Sequence, residues 1–212
     1  GTRPVFGDGL VMMQPYRPGR VPVVLVHGTA SSPARWAELL NELQNDAEFG
    51  GRIQVWQFMY NTSLPILYTA KLLREALQNA VRDFDPTGTD PALQRMVVMG
   101  HSQGGLLTRL MVTDSGDRFW NAVSRSPFSA LRAGPDERAL LESVAFFKPL
   151  PFVSRVVFLA TPHGGSYRVG RVVLNLVRRV GTLPLRLVAP IEDVIKKNPE
   201  IEMPSGSFPT SV

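Results

Sequence analysis

The stretch 97-VVMGHSQGGLLTRLMV-112 decides the fold: an apolar, β-branched run passes through a serine set among glycines into a helical pattern. It reads as strand, corner, helix, with 95-RMVVMG-100 as the strand and 104-GGLLTRLMVTDS-115 as the helix. The corner, Gly100-His101-Ser102-Gln103-Gly104, matches G-x-S-x-G. Such a corner turns so sharply that its serine sits at the tip with unfavourable backbone angles, and a side chain at either flanking glycine would collide with the turn. The hydroxyl is then held outward, with the first N–H groups of a helix behind it.

Working outward, residues 5–13 read as a short strand or hairpin broken at Gly7-Asp8-Gly9, and Pro15 to Gly19 as a turn. The uninterrupted run 21-VPVVLV-26 reads as a strand buried on both faces, the mark of a parallel sheet covered by helices. A helix is expected in 31-SSPARWAELLNELQ-44, with Ser32 as N-cap, Pro33 at the first helical position, and Trp36, Leu39, Leu40 and Leu43 on one face. Next come a strand, 52-RIQVWQFMY-60, and a helical stripe of Leu73, Ala76, Leu77, Ala80, Val81 and Phe84 that Asp85-Pro86-Thr87-Gly88 stops. Residues 116–151 lose this rhythm, keep only short helical pieces such as 136-DERALLESVAFF-147, and read as an insertion over one end of the sheet. The strand pattern resumes in 153-VSRVVFLA-160 and ends in 161-TPHGGS-166. The order predicts an α/β fold, a mostly parallel sheet flanked by helices. The glycine-rich corners 27-HGT-29, 100-GHSQGG-105 and 161-TPHGGS-166 all fall at strand carboxyl ends, where such sheets collect ligands.

At 212 residues and 44% hydrophobic, the chain is long enough for one domain with a sizeable core. No apolar run reaches the ~20 residues of a membrane span. Residues 1–20 lack the features of a signal peptide, which decides little for a chain whose Gly1 suggests a processed or engineered start. The absence of cysteine excludes disulfides, cysteine nucleophiles and thiolate metal sites. The net charge is +5, and five arginines without an acid lie from Arg168 to Arg186. Val169, Val172, Val173, Leu176, Val177 and Val180 follow the helical period there, so the arginines read as the polar face of an amphipathic helix, and no nucleic-acid partner is expected.

Acyl transfer by serine needs a hydroxyl that reaches a carbonyl, a base for its proton, and N–H donors aimed at the oxyanion. Ser102 is the candidate nucleophile, the corner then being a nucleophile elbow, and the N–H groups of Gln103 and Thr29 are the candidate oxyanion donors. A plain glycine-rich turn with an exposed serine would leave the 27-HGT-29 loop unaccounted for. His101 should point away from the cleft, and His27 should pin backbone carbonyls in the oxyanion loop. His163, followed by Gly164-Gly165-Ser166, fits the closing of a turn better than the base, because the order in this chemistry is serine, acid, then a histidine on a later loop. No G-x-G-x-x-G loop follows the first long strand, and the three histidines form no H-E-x-x-H pair, so neither a dinucleotide cofactor nor a metal is expected.

On 23-VVLVHGTASSPARW-36, 97-VVMGHSQGG-105 and 157-VFLATPHGGS-166 the chain resembles the α/β-hydrolases of the lipase and esterase kind, most of all an uncharacterised bacterial group of them. The resemblance implies one hydrolase domain over 1–212, Ser102 as nucleophile, Gln103 and Thr29 as oxyanion donors, and a site shaped by His27, Gly28, Gly100, Gly104 and His163. It implies a carboxylic ester or lipid substrate, a cap over the acyl pocket at about 116–151, and a bacterial periplasmic, envelope-associated or secreted location; Phe119, Trp120, Phe128, Phe146 and Phe147 exceed what a short surface connection needs, so some of them are expected to line that pocket beside Ser102. The family carries its acid after the next strand and its histidine after the last one. This sequence shows neither strand, no histidine follows His163, and Asp193 sits in the helical piece 190-PIEDVIKKNPE-200. The domain is therefore expected to stop short, as the front of a longer protein or as a shortened piece, with little triad-dependent activity of its own. Its last strand should expose an apolar edge, for which a separate C-terminal segment or a second copy is the expected partner. The alternative is a non-catalytic protein of the same fold that binds an acyl ligand or a partner. A thioesterase or amidase would use the same residues.

Overall fold

A computed structural model describes residues 9–28, 36–163 and 183–201. Thr29, the expected helix start at Ser32 and Pro33, Gly164 to Ser166 and the valine–arginine helix of 168–180 lie outside the described residues. The chain divides into two compact units, Gly1–Thr62 with Leu72–Val112 and Pro149–His163, and Ser63–Lys71 with Thr113–Lys148 and Gly164–Val212, each taken in its described residues.

Unit one is built on a five-stranded sheet. Its strands are β1 (Gly9–Met12), β2 (Val21–Val26), β3 (Ile53–Met59), β4 (Met96–His101) and β5 (Val153–Leu159), in the order β1-β3-β2-β4-β5. Only β1 is antiparallel, pairing Gly9 with Met59. The parallel pairs run in register from Val23 opposite both Val55 and Val97 to Val26 opposite both Phe58 and Gly100. The unbroken apolar run of β2 is explained by this central place, since a strand between two parallel neighbours is covered on both faces.

Alternate side chains of the strands feed different layers. Val23, Leu25 and Val55, with Val97 and Met99, pack under Trp36 and Leu40 of the segment that opens and forms α1 (Ala37–Asn45). The residues of opposite parity, Val24, Val26, Trp56, Phe58 and Val98, are at most 1% exposed. Trp56 meets Phe84 of α2 (Ile66–Phe84), and Arg74 of α2 donates to Leu110 O on α3 (Gln103–Met111), so these two helices serve the second face. Each such fully buried side chain is worth about 1.5–3 kcal/mol. The Arg74 guanidinium is buried enough that its pKa falls to about 10.

Helix α1 is described from Ala37, with Trp36 before it. One element of unit one ends short of its sequence expectation. Helix α3 ends at Met111, not Ser115, because Asp114 accepts the Gly116 N–H and Ser115 N–H donates to Phe147 O, which draws 113–116 into a turn. The first segment, described from Gly9, is the short strand β1, and the turn after it is clamped by a buried glutamine: Gln54 accepts the Arg17 N–H and donates to Arg17 O and Arg20 O. Gly19 stands at φ 79° within that turn, a conformation that glycine adopts without strain. Strand β5 has β4 as its one partner among the described residues, and its Phe158 and Leu159 are 36% and 37% exposed.

Unit two is helical. It contains α4 (Arg118–Asn121), a 3-10 turn (Phe128–Ala130), α5 (Pro135–Ala145, opened by Pro135) and α6 (Leu185–Lys197). Trp120, Leu131, Ala145 and Val194 form its core. Asn198, fully buried, accepts the Arg132 N–H and donates to Arg132 O and Val194 O, tying the end of α6 to the 131–133 segment. Helix α6 starts before the expected Pro190 and runs through it.

Candidate functional site

Strand order fixes where a site can lie. The chain leaves β2 for β3 on one side and leaves β4 for β5 on the other, so the switch point falls between the carboxyl ends of β2 and β4. Those ends carry His27-Gly28 and His101-Ser102.

Ser102 sits at the corner between β4 and α3 with φ 52° and ψ −120°. Positive φ is rare for a residue with a Cβ, and a position of this kind costs about 1–3 kcal/mol. The turn is held from both ends: Ser102 N–H donates to Leu159 O of β5 at 2.9 Å, and Gly105 N–H donates back to Ser102 O at 3.0 Å. Its neighbours leave no room for side chains. A Cβ on Gly100 would stand 2.4 Å from Gly104 O, and one on Gly104 would stand 2.2 Å from Val26 O. A Cβ on Gly28 would lie 2.8 Å from the Ser102 Cβ and 2.9 Å from His101 O. Gln103 opens α3, at the end where a helix leaves its N–H groups without intrahelical acceptors, and its side chain donates to Thr62 O. The other expected donor, Thr29, is outside the described residues.

The histidines fall in three settings. His101 stands edge-on to Trp36, on the α1 side of the sheet, and its buried Nδ1 has no hydrogen-bond partner among the described residues. His27 is buried with its ring stacked on Tyr60, and its Nδ1 lies 3.1 Å from Gly28 O. His163 is exposed, meets the Phe158 ring edge-on, and its N–H closes a tight turn onto Thr161 O. Asp193 is paired with Lys197 one turn along α6.

Sequence reasoning missed four contributors. Tyr60 donates its hydroxyl to His27 O at 2.6 Å, which fixes the loop after β2, and burial raises the Tyr60 pKa. Gly105 meets Thr161, because a Cβ there would be 1.8 Å from Thr161 Oγ1. The second glycine of the GG pair and the threonine of 161-TPHGGS-166 were the available signal for that contact. Ala160, next to Leu159, holds φ 48°, and nothing in its sequence announces it.

The model of the prolyl oligopeptidase family matches residues 82–141, a stretch that contains β4, Ser102 and α3. The match covers well under half of the chain. The mostly parallel sheet and the strand–serine–helix corner are those that the resemblance to the α/β-hydrolases implies. Among solved structures the chain is similar to the lipase BlEst2 of Bacillus licheniformis in its mature form, at 18% identity, with 76% of this chain and 49% of that one covered and a TM-score of 0.43. The propeptide form of that lipase gives 17%, 91%, 30% and 0.39. Thermogutta terrifontis esterase 2 phosphonylated by cyclosarin gives 15%, 91%, 74% and 0.41. The chain thus spans half or less of the length of both Bacillus structures. No curated protein is similar enough to count as a match.

Proposed function

We propose that Ser102 is the nucleophile of a serine hydrolase that cleaves carboxylic esters through an acyl-enzyme. The observation that carries this reading is the positive-φ serine at the β4–α3 corner, with Gly28 pressed against it at the switch point. Strain of this kind persists where the surroundings over-determine it. Ser102 Oγ attacks the ester carbonyl carbon, its proton passing to a base. The tetrahedral oxyanion is met by the Gln103 N–H and, in the family's arrangement, by that of Thr29; each donor is worth about 3 kcal/mol. The C–O bond to the alcohol then breaks, the alcohol leaves with the proton, and water releases the acid by the reverse sequence.

The base must lie within about 3 Å of Oγ. His27 is held against Tyr60 and Gly28, and His101 is on the α1 side of the sheet. The His163 backbone N–H closes the turn at Thr161 and its ring packs edge-on to Phe158, so we place the base outside these three residues. The match to the prolyl oligopeptidase family favours a second reading, an amide substrate for the same serine.

The test is single-turnover acylation. A 4-nitrophenyl butyrate pulse should release nitrophenol and leave a butyryl group on the 97–112 peptide, absent in Ser102→Ala. A peptidyl 4-nitroanilide should give no such product. Acylation by the anilide alone would favour the amide reading, and acylation of Ser102→Ala would refute both.

A further inference from the structure

One short segment touches both sides of the serine corner. Tyr60, the residue after β3, donates its hydroxyl to His27 O at the end of β2, and Thr62 O accepts the side-chain amide of Gln103 at the start of α3, at 3.3 Å. The held carbonyl is part of the corner. His27 O lies 2.5 Å from where a Cβ on Gly104 would stand, and Gly28, the next residue, is pressed against Ser102. The Tyr60 ring is buried, stacked on His27 at 4.4 Å and on Phe58 at 5.5 Å, which fixes the direction of its hydroxyl. Burial also raises its pKa, so the hydroxyl stays protonated and a donor.

We infer that Tyr60 is a positioning residue for the oxyanion: the 60–62 segment holds the end of β2 and the start of α3 at one spacing, and with it the backbone on either side of Ser102. The ladder between β2 and β4 ends at Val26 opposite Gly100, so the residues beyond it need another tie. Gly28 and Gly104 let the backbones meet there, but contact resists only closer approach. The two hydrogen bonds of the 60–62 segment resist separation. An oxyanion site works because its donors are fixed before the reaction, and a misplacement of about 1 Å can cost about 100-fold in rate. The inference rests on the reading of Ser102 as nucleophile and of the Gln103 N–H as a donor. It adds a residue whose hydroxyl is engaged by His27 O and acts through the backbone, not on the substrate.

The experiment follows fluorophosphonate labelling of Ser102 over a range of probe concentrations, with imidazole as external base, in the parent, Tyr60→Phe and Gln103→Met. The first variant loses one oxygen; the second loses the amide donor and keeps the backbone N–H. Each should lower the maximal labelling rate about tenfold, with the half-saturating concentration within about twofold of the parent's, the mark of an interaction made in the transition state. The double variant should be little slower than either single one, since both bonds act through one segment. A second measurement needs no reaction: by NMR of the isotope-labelled chain, the Gln103 amide resonance should move in Tyr60→Phe and the Gly28 resonance in Gln103→Met. A lower melting temperature with an unchanged maximal rate, a change in half-saturation alone, fully multiplicative losses in the double variant, or unmoved resonances would overturn the inference. A parent labelled elsewhere than Ser102, or not at all, would overturn the nucleophile reading and the inference with it. A labelled parent matched in rate by Tyr60→Phe would overturn the inference alone. Should Tyr60→Phe fail to fold, the rate of Gln103→Met and its Gly28 resonance decide the matter.

Discussion

Ser102 and the glycines around it form a single steric argument. Replacing Ser102 by glycine removes the Cβ from its φ of 52° and should stabilise the chain by about 1–3 kcal/mol over Ser102→Ala, which keeps the strain but lacks the hydroxyl. Thermal or urea unfolding of the pair measures it, and equal stabilities would show the corner to be unstrained. Gly28→Ala drives a Cβ against His101 O and the Ser102 Cβ, neither of which can swing aside. It should cost about 1–3 kcal/mol and abolish acylation of Ser102 even where the variant folds. Gly105→Ala drives its Cβ into the Thr161 side chain, so Thr161→Gly should recover most of its loss in a double-mutant cycle. Strictly additive effects would deny that the two motifs touch. The corner was legible because G-x-S-x-G and the two other glycine-rich ends are local patterns. Tyr60 and Ala160 were not, because a hydroxyl reaching a carbonyl 33 residues away and an alanine with positive φ leave no local mark.

The elements show the same division between local and long-range causes. Strands β2 to β5 were legible as apolar runs, and α2 as a clear 3.6-residue stripe. Helix ends and polar clamps were not, since Gln54, Asn198 and the 85–90 loop owe their places to distant partners. Asp85 in that loop is held below the usual carboxylate range, first by the Asp90 N–H and then by the N–H and hydroxyl of Thr89. For Asp90, burial pushes the pKa up, but the Tyr16 hydroxyl and the N–H groups of Gly19 and Ala92 outweigh it. Depressed carboxyl pKa values add stability above the unfolded value of about 3.9, and that stability is lost as pH falls through the lower folded values. The melting temperature of the parent should therefore drop below about pH 4, and Asp85→Asn should melt lower at neutral pH with a shallower acid decline. Parallel acid profiles for the two would count against this role. In unit two, Asn198→Ala leaves the Arg132 N–H and C=O without their buried partners and should cost about 2–4 kcal/mol. The aromatic richness of 116–151 suggests an acyl pocket; Phe119 and Trp120 line a half-open apolar pocket within unit two, Phe128 and Phe146 pack around Trp120, and Phe147 stacks on Phe119.

For the whole molecule, the sheet order puts the β2 and β4 ends at the switch point, and the account stands on Ser102 being the nucleophile there. The most direct measurement is the labelling of the folded chain by a fluorophosphonate, with the adduct mapped by mass spectrometry and its rate followed as imidazole is added as an external base. The account predicts an adduct on Ser102, formed faster as imidazole rises, unaffected by His163→Ala and absent in Ser102→Ala. An adduct on any other residue, or none at any imidazole concentration, would contradict the assignment of Ser102; rapid labelling without imidazole that His163→Ala abolishes would contradict the placing of the base.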